Sequence, residues 1–114
     1  MATGKLTNIA GAISKRLFQQ APYTVSNTVT LTMPVAPVEG HTYLVFFLFY
    51  TGADSIAMDI RTVNYSNASA VRSAWLVKNS NYNLNAITPS GNNLTFSFTE
   101  TVYVSTFFVR INNN

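Results

Sequence analysis

Cysteine is absent from this chain of 114 residues. A disulfide framework and thiolate metal ligation are therefore both excluded. A domain of this size can form a hydrophobic core without covalent cross-links, although that core is small. Association with further copies is another way in which small domains gain stability, and the composition leaves that route open.

Charge is also scarce, since Asp, Glu, Lys and Arg make up only 10% of the chain. The usual share is about 25%. Asn, Ser and Thr fill the gap, and surfaces of neutral polar groups suit subunit packing and sugar contacts better than steering of charged ligands. The net charge of +3 comes from residues 1–20, which hold Lys5, Lys15 and Arg16 and no acid.

The remaining residues are balanced in charge. They set the bases Arg61, Arg72, Lys78 and Arg110 against the acids Glu39, Asp54, Asp59 and Glu100. A folded nucleic-acid-binding domain usually carries a basic stripe on one face. We therefore predict no nucleic-acid partner.

Long apolar runs are missing as well. The longest, from Tyr43 to Tyr50, has eight residues, as expected for a buried strand. A membrane-spanning helix needs about 20. Residues 1–20 lack the continuous apolar stretch of a secretory signal. The sequence predicts no membrane partner and no secretion through a recognisable signal.

Catalytic patterns are not visible. His41 is the single histidine, and no serine or threonine stands out as its nucleophile. The acids are few and scattered, so no glycosidase pair can be named. No Asp-x-Asp-x-Asp calcium loop and no glycine-rich phosphate loop occurs. We therefore predict a protein that is not an enzyme, with no catalytic residue, no metal and no cofactor.

The clearest positive signal is an apolar residue at every second position near the end of the chain. Leu94, Phe96 and Phe98 alternate with Thr and Ser; after a short break Val102 and Val104 follow. A period of two places one set of side chains on a buried sheet face. We predict a strand, a turn and a second strand, with Phe107, Val109 and Ile111 continuing the core face.

Similar patterns recur along residues 21–114. Residues 23–33 alternate with a break at Asn27 that suggests a bulge, and residues 43–50 are apolar on both faces. Further strands are predicted at 56–63, 71–78 and 86–88, separated by polar loops at 64–69 and 79–85. The fold class is therefore all-β: an antiparallel β-sandwich or jelly roll of seven or eight strands with a short N-terminal helix or arm.

Residues 1–20 follow a helical period instead. Leu6, Ile9, Ala10, Ile13 and Leu17 form one apolar stripe. Such a helix could pack on its own domain or become ordered only against a partner. Together with the strand that is apolar on both faces, it gives a candidate docking or oligomer surface, which comprises Leu6, Ile9, Ile13, Lys15, Arg16, Leu17, Phe47 and Phe49.

A candidate ligand site is suggested by Tyr65, Trp75 and Tyr82, which stand among several asparagines. Aromatic rings stack on the C–H faces of sugars, and amides bond to sugar hydroxyls. A lone tryptophan in a β-domain is more often part of the core, and asparagine in loops more often forms turns. Both interpretations stay open.

The combination of an apolar, basic N-terminal arm, a cysteine-free β-domain rich in Asn and Thr, and a strand pair near the C-terminus resembles small tailed-phage virion proteins. These include head-decoration and head-fibre proteins and the distal β-domains of tail fibres. The resemblance implies a virion location and a homotrimer that docks onto other virion proteins through residues 1–20. It transfers no functional residue, and a piece of a longer fibre chain would show the same pattern.

Two functions are therefore expected from different classes. The first is a structural virion protein, either a capsid decoration or a fibre head. It would assemble as an oligomer and attach through its N-terminal arm. The alternative is a carbohydrate-binding or receptor-binding module, which would use exposed Tyr, Trp and Asn on a host-surface glycan and could be cytoplasmic or exported without a recognisable signal.

Overall fold

The structure, a computed structural model, describes residues 19–20 and 23–112. The predicted N-terminal helix lies outside the described residues. Seven strands account for most of the described chain: β1 (Gln19–Gln20), β2 (Thr24–Thr32), β3 (Thr42–Gly52), β4 (Ser55–Asn67), β5 (Ala70–Val77), β6 (Leu84–Ser90) and β7 (Asn93–Arg110).

All seven strands join one hydrogen-bonded sheet, and every pairing is antiparallel. The main path runs β1-β7-β3-β4-β5, and β2 and β6 also pair with β7. The prediction of an all-β, antiparallel chain is therefore confirmed. The organising element is β7, which contacts four other strands.

The expected turn near the end of the chain is wrong, because β7 is a single strand of 18 residues. Its first half pairs with β6, its second half pairs with β3, and β2 runs alongside both halves. The break at Thr99-Glu100-Thr101 contains no Gly, Asn or Pro to reverse the chain, and β-branched threonines favour extended backbone. The strand therefore continues through the break without a turn, and its register with β2 shifts there.

The core is a cluster of buried side chains in which both halves of β7 are joined by residues of β2, β3 and β4. The ring of Phe47 in β3 meets those of Phe96 and Phe98 edge-on, with centroids 5.0 and 5.7 Å apart. The buried apolar side chains are Val29, Leu31, Met33, Tyr43, Val45, Phe47, Phe49, Val63, Tyr65, Leu94, Phe96, Phe98, Val102, Val104 and Phe108.

The predicted core face of β7 is confirmed through Val104 and wrong beyond it. Thr106 and Phe108 are buried, whereas Phe107 and Val109 occupy the opposite face and Ile111 is 48% exposed. Because no turn interrupts the strand, the alternation simply continues at even numbers. Thr106 therefore lies in the core, whereas Phe107 and Val109 lie outside it.

The predicted bulge at Asn27 is confirmed, since the register between β2 and β7 shifts between Ser26 and Thr28. An inserted residue moves later side chains to the other face of a strand. Val29 is accordingly buried, whereas Tyr23 and Val25 are 54% and 53% exposed. The apolar residues of this segment therefore do not share one face.

The polar loop expected at residues 64–69 is also wrong. β4 continues to Asn67, and only Ala68 and Ser69 form the turn into β5. The alternation of the preceding residues persists, so Val63 and Tyr65 are both buried. Tyr65 is consequently a core residue in a strand.

Two tyrosine hydroxyls are buried in this core without a hydrogen-bond partner in the described part of the chain, those of Tyr43 and Tyr65. Their rings meet edge-on, with centroids 5.9 Å apart. Burial raises the pKa of Tyr65 to about 12. An unsatisfied buried polar group costs free energy on folding, so each hydroxyl destabilises the folded protein.

We expect Tyr65→Phe to raise the free energy of unfolding by about 1 kcal/mol, because it deletes this hydroxyl and keeps the ring. Urea unfolding monitored by circular dichroism measures the change, with Tyr103→Phe as the control at an exposed tyrosine. A loss of stability in Tyr65→Phe would show that the hydroxyl has a bound partner.

Candidate functional site

The predicted docking surface differs from the structure at its two strand residues. Phe47 and Phe49 are completely buried and point into the core. The other predicted docking residues, Leu6, Ile9, Ile13, Lys15, Arg16 and Leu17, lie outside the described residues. The large apolar side chains on the outward side of the sheet are instead the neighbours of these phenylalanines.

This outer face is formed by alternate residues of three adjacent strands. Pairing sets Phe46 of β3 beside Phe107 of β7 and Ile60 of β4, and it sets Leu48 beside Met58. The rings of Phe46 and Phe107 stack with centroids 4.8 Å apart. We call the outer face the partly buried set Leu44, Phe46, Leu48, Met58, Ile60, Phe107 and Val109.

Two strongly exposed side chains flank the outer face. Ile56 in β4 is 62% exposed, and Leu76 in β5 is 61% exposed. No charged residue stands at an outward position of β3, of β4, or of β7 from Val102 to Arg110. Contiguous apolar surface of this kind marks interaction sites on soluble proteins.

The predicted sugar-binding trio is not brought together on the surface. Tyr65 is in the core. Trp75 is half-buried, with its ring edge-on to Phe47 at 6.0 Å. The guanidinium carbon of Arg61 lies 4.7 Å and Lys78 Nζ 5.3 Å from its ring centroid. Trp75 therefore contacts protein cations and core, and of the three only Tyr82 borders a surface cleft.

That cleft is lined by tyrosines that converge from distant parts of the chain. It encloses about 350 Å³ between Tyr23, Tyr50, Thr51, Gly52, Tyr82 and Tyr103, and we call it the tyrosine cleft. Tyr23 meets Tyr50 edge-on, with centroids 5.3 Å apart. The hydroxyl of Tyr50 lies 3.3 Å from Ser105 Oγ, within hydrogen-bond range.

Sequence reasoning missed three of these tyrosines. One signal was available, because the alternation that buries Val102 and Val104 places Tyr103 on the opposite face. The meeting of Tyr103 with Tyr50 depends on the register between β7 and β3, in which Val104 pairs with Phe49. That register cannot be derived from the period of either strand alone.

The position of Tyr82 depends on a buried carboxylate. Asp59 has no solvent exposure, and its Oδ1 accepts the backbone N–H groups of Asn79 and Ser80 at 2.7 and 2.9 Å. Its Oδ2 accepts the Ser80 hydroxyl at 2.5 Å and lies 3.2 Å from Lys78 Nζ. Asp59 therefore holds the start of the loop that carries Tyr82.

Two opposing effects act on the pKa of Asp59. Burial by itself raises it, but the hydrogen bonds from Ser80, Asn79 and Lys78 outweigh burial and hold the pKa below the usual 3.8. The carboxylate is therefore charged at neutral pH. From the same loop, the N–H of Tyr82 donates to Ser80 Oγ at 3.3 Å, and the ring of Tyr82 packs on Phe49 with centroids 4.8 Å apart.

His41, the single histidine, is buried at the entrance to β3. Its Nδ1 lies 3.4 Å from the backbone nitrogen of Val38, and its Nε2 lies 3.3 Å from a guanidinium nitrogen of Arg110. These contacts connect the β2–β3 segment to the end of β7.

Over residues 19–20 and 23–112, no three or more His, Asp or Glu side chains are placed to hold a metal ion together. The same part of the chain contains no helix with the length and apolar character to cross a membrane. No protein-family model, curated protein or solved structure matches this chain.

Proposed function

We propose that this protein is a structural component of a larger particle, of the kind that the virion resemblance implies, and that it packs against copies of itself through the outer face. The observation that carries the proposal is the uncharged, apolar outer side of β7, β3 and β4. In this proposal the sheet closes on itself as a sandwich or jelly roll, with β7 belonging to both layers.

A second copy is the occupant that the charge distribution favours. Identical copies present identical charges to one another, so a self-associating surface avoids repulsion most simply by carrying none. The outward positions of β3, β4 and the second half of β7 meet that condition. Burying such apolar area also supplies the association energy that a weakly charged chain cannot gain from ion pairs.

The stoichiometry proposed is a trimer, and residues 1–20 are proposed to attach it to other virion proteins. Gln19 and Gln20 in β1 pair with Phe108 and Phe107, so the last two residues of this segment lie beside a strand of the outer face. The segment contains the whole excess positive charge. This arrangement supports separate roles, in which the β-domain associates with itself and the arm attaches the particle.

The test is the solution mass of the full chain by light scattering on a size-exclusion column. We expect an oligomer of the 12.5 kDa chain at micromolar concentration, and a shift towards monomer in Leu76→Glu and Ile56→Glu. Both substitutions sit at exposed positions beside the outer face, so the fold should tolerate them.

Val35→Glu provides the matched control, because Val35 is 51% exposed and lies in the segment between β2 and β3, outside the strands that form the outer face. Its mass should equal that of the wild type. A monomeric wild-type chain at all concentrations would refute self-association.

A further inference from the structure

We infer that the tyrosine cleft is a binding site for a neutral saccharide. The inference does not rest on self-association, since it concerns a different set of side chains. It also differs from the trio suggested by the sequence, because Tyr65 is buried and Trp75 is occupied by protein contacts. Only Tyr82 is common to both.

Three of the tyrosines that line the cleft are exposed to solvent. Tyr23, Tyr103 and Tyr50 are 54%, 46% and 36% exposed, and Tyr82 completes the wall from the β5–β6 loop. Tyrosine rings pack well against the C–H faces of pyranose rings, and aromatic contacts are directional. The volume of about 350 Å³ falls in the range of small-ligand sites.

The polar groups in the lining fit hydroxyl-rich ligands. Each tyrosine hydroxyl can donate one hydrogen bond and accept others, as can the hydroxyl of Thr51. None of the six lining residues is an acid, a lysine, an arginine or a histidine. The lining therefore offers nothing to neutralise a phosphate or a carboxylate, and an uncharged ligand fits it best.

The cleft is also preorganised. Tyr50 is fixed by its hydroxyl contact with Ser105 and by the ring of Tyr23. Tyr82 is fixed by Phe49 and by the loop that Asp59 anchors. A site that is already ordered loses less conformational entropy when it binds, which is how small aromatic sites reach measurable affinity.

The experiment is calorimetric titration of the full-length protein with maltotetraose, cellotetraose and chitotetraose, preceded by an array of neutral glycans. We expect at least one neutral saccharide to bind. Tyr23→Ala and Tyr103→Ala should each weaken that binding at least about fivefold, because each removes one exposed stacking ring. Both residues are exposed, so the fold should persist.

Val35→Ala is the control for an exposed apolar truncation outside the cleft, and its affinity should match the wild type. Tyr103→Phe keeps the ring and loses only the hydroxyl, so it should weaken the binding less than Tyr103→Ala does. Failure of every neutral glycan, or binding that both alanine variants leave unchanged, would overturn the inference. Binding of choline or decaproline to the cleft without saccharide binding would overturn it too, because the rings would then serve a cation or an extended peptide.

Discussion

Phe96→Ala is expected to lower the free energy of unfolding by about 3–5 kcal/mol, which is the usual cost of truncating a buried phenylalanine. Phe96 is completely buried in the first half of β7, and its ring lies 5.0 Å from that of Phe47 across the core. The substitution therefore removes a contact between two parts of the sheet that are not neighbours. Domains of this size have stabilities of about 5–15 kcal/mol, so the loss is large.

The measurement is equilibrium urea unfolding at one fixed protein concentration, because association changes apparent stability. Ser97→Ala is the matched control: Ser97 is the next residue of β7 and faces outward, so its effect should stay within about 0.5 kcal/mol. If the alanine variant of Phe96 does not fold, Phe96→Leu should show a smaller loss in the same direction. Equal losses for Phe96→Ala and Ser97→Ala would contradict the assignment of the core face.

The period of two was sufficient to predict which face of β7 is buried up to Val104. It failed beyond that point because both faces of the last segment carry large apolar residues, so Phe107 and Phe108 looked equally suitable for the core. The predicted turn then allowed the alternation of inward and outward positions to start again at Phe107, which is the wrong residue. In the structure the strand is unbroken, and the buried position 106 is a threonine.

In β4 the period of two indicates which residues share a face, but it does not indicate which face is inward. Ile56, Met58 and Ile60 do share one face, and Asp59 and Arg61 share the other. Hydrophobicity alone would put the isoleucines inside, but pairing with β3 fixes Asp59 opposite Phe47 on the inner side. The register with a neighbouring strand decides which face is inward, and a single strand does not contain that information.

The tyrosine cleft could not be derived from the sequence for the same reason. Its walls come from Tyr23 just before β2, from β3, from β7 and from the β5–β6 loop, so their meeting requires several registers at once. Sequence reasoning chose aromatics that are close together in the chain instead. One of these, Tyr65, belonged to a strand that was expected to end before it.

Asp59 gives the second large effect, because its carboxylate is buried and accepts hydrogen bonds from a whole loop. We expect Asp59→Ala to lower the free energy of unfolding at neutral pH by about 3–5 kcal/mol, the range for breaking a buried charge pair. The substitution leaves the N–H groups of Asn79 and Ser80 without their acceptor and removes the negative charge beside the ammonium of Lys78. Asp54→Ala, at an exposed turn residue, should leave the stability nearly unchanged.

The stability difference between the wild type and Asp59→Ala should also depend on pH in a defined direction. The pKa of Asp59 is lower in the folded protein than its usual value of 3.8, because the hydrogen bonds outweigh burial. A depressed carboxyl pKa contributes stability that is fully present above the unfolded pKa and is lost as the pH falls through the folded pKa. The difference should therefore be constant above about pH 5 and shrink towards about pH 2. Urea unfolding of both proteins across this range measures it. A difference that grows on acidification would mean that the folded state raises this pKa, and that burial rather than the loop hydrogen bonds controls the carboxyl.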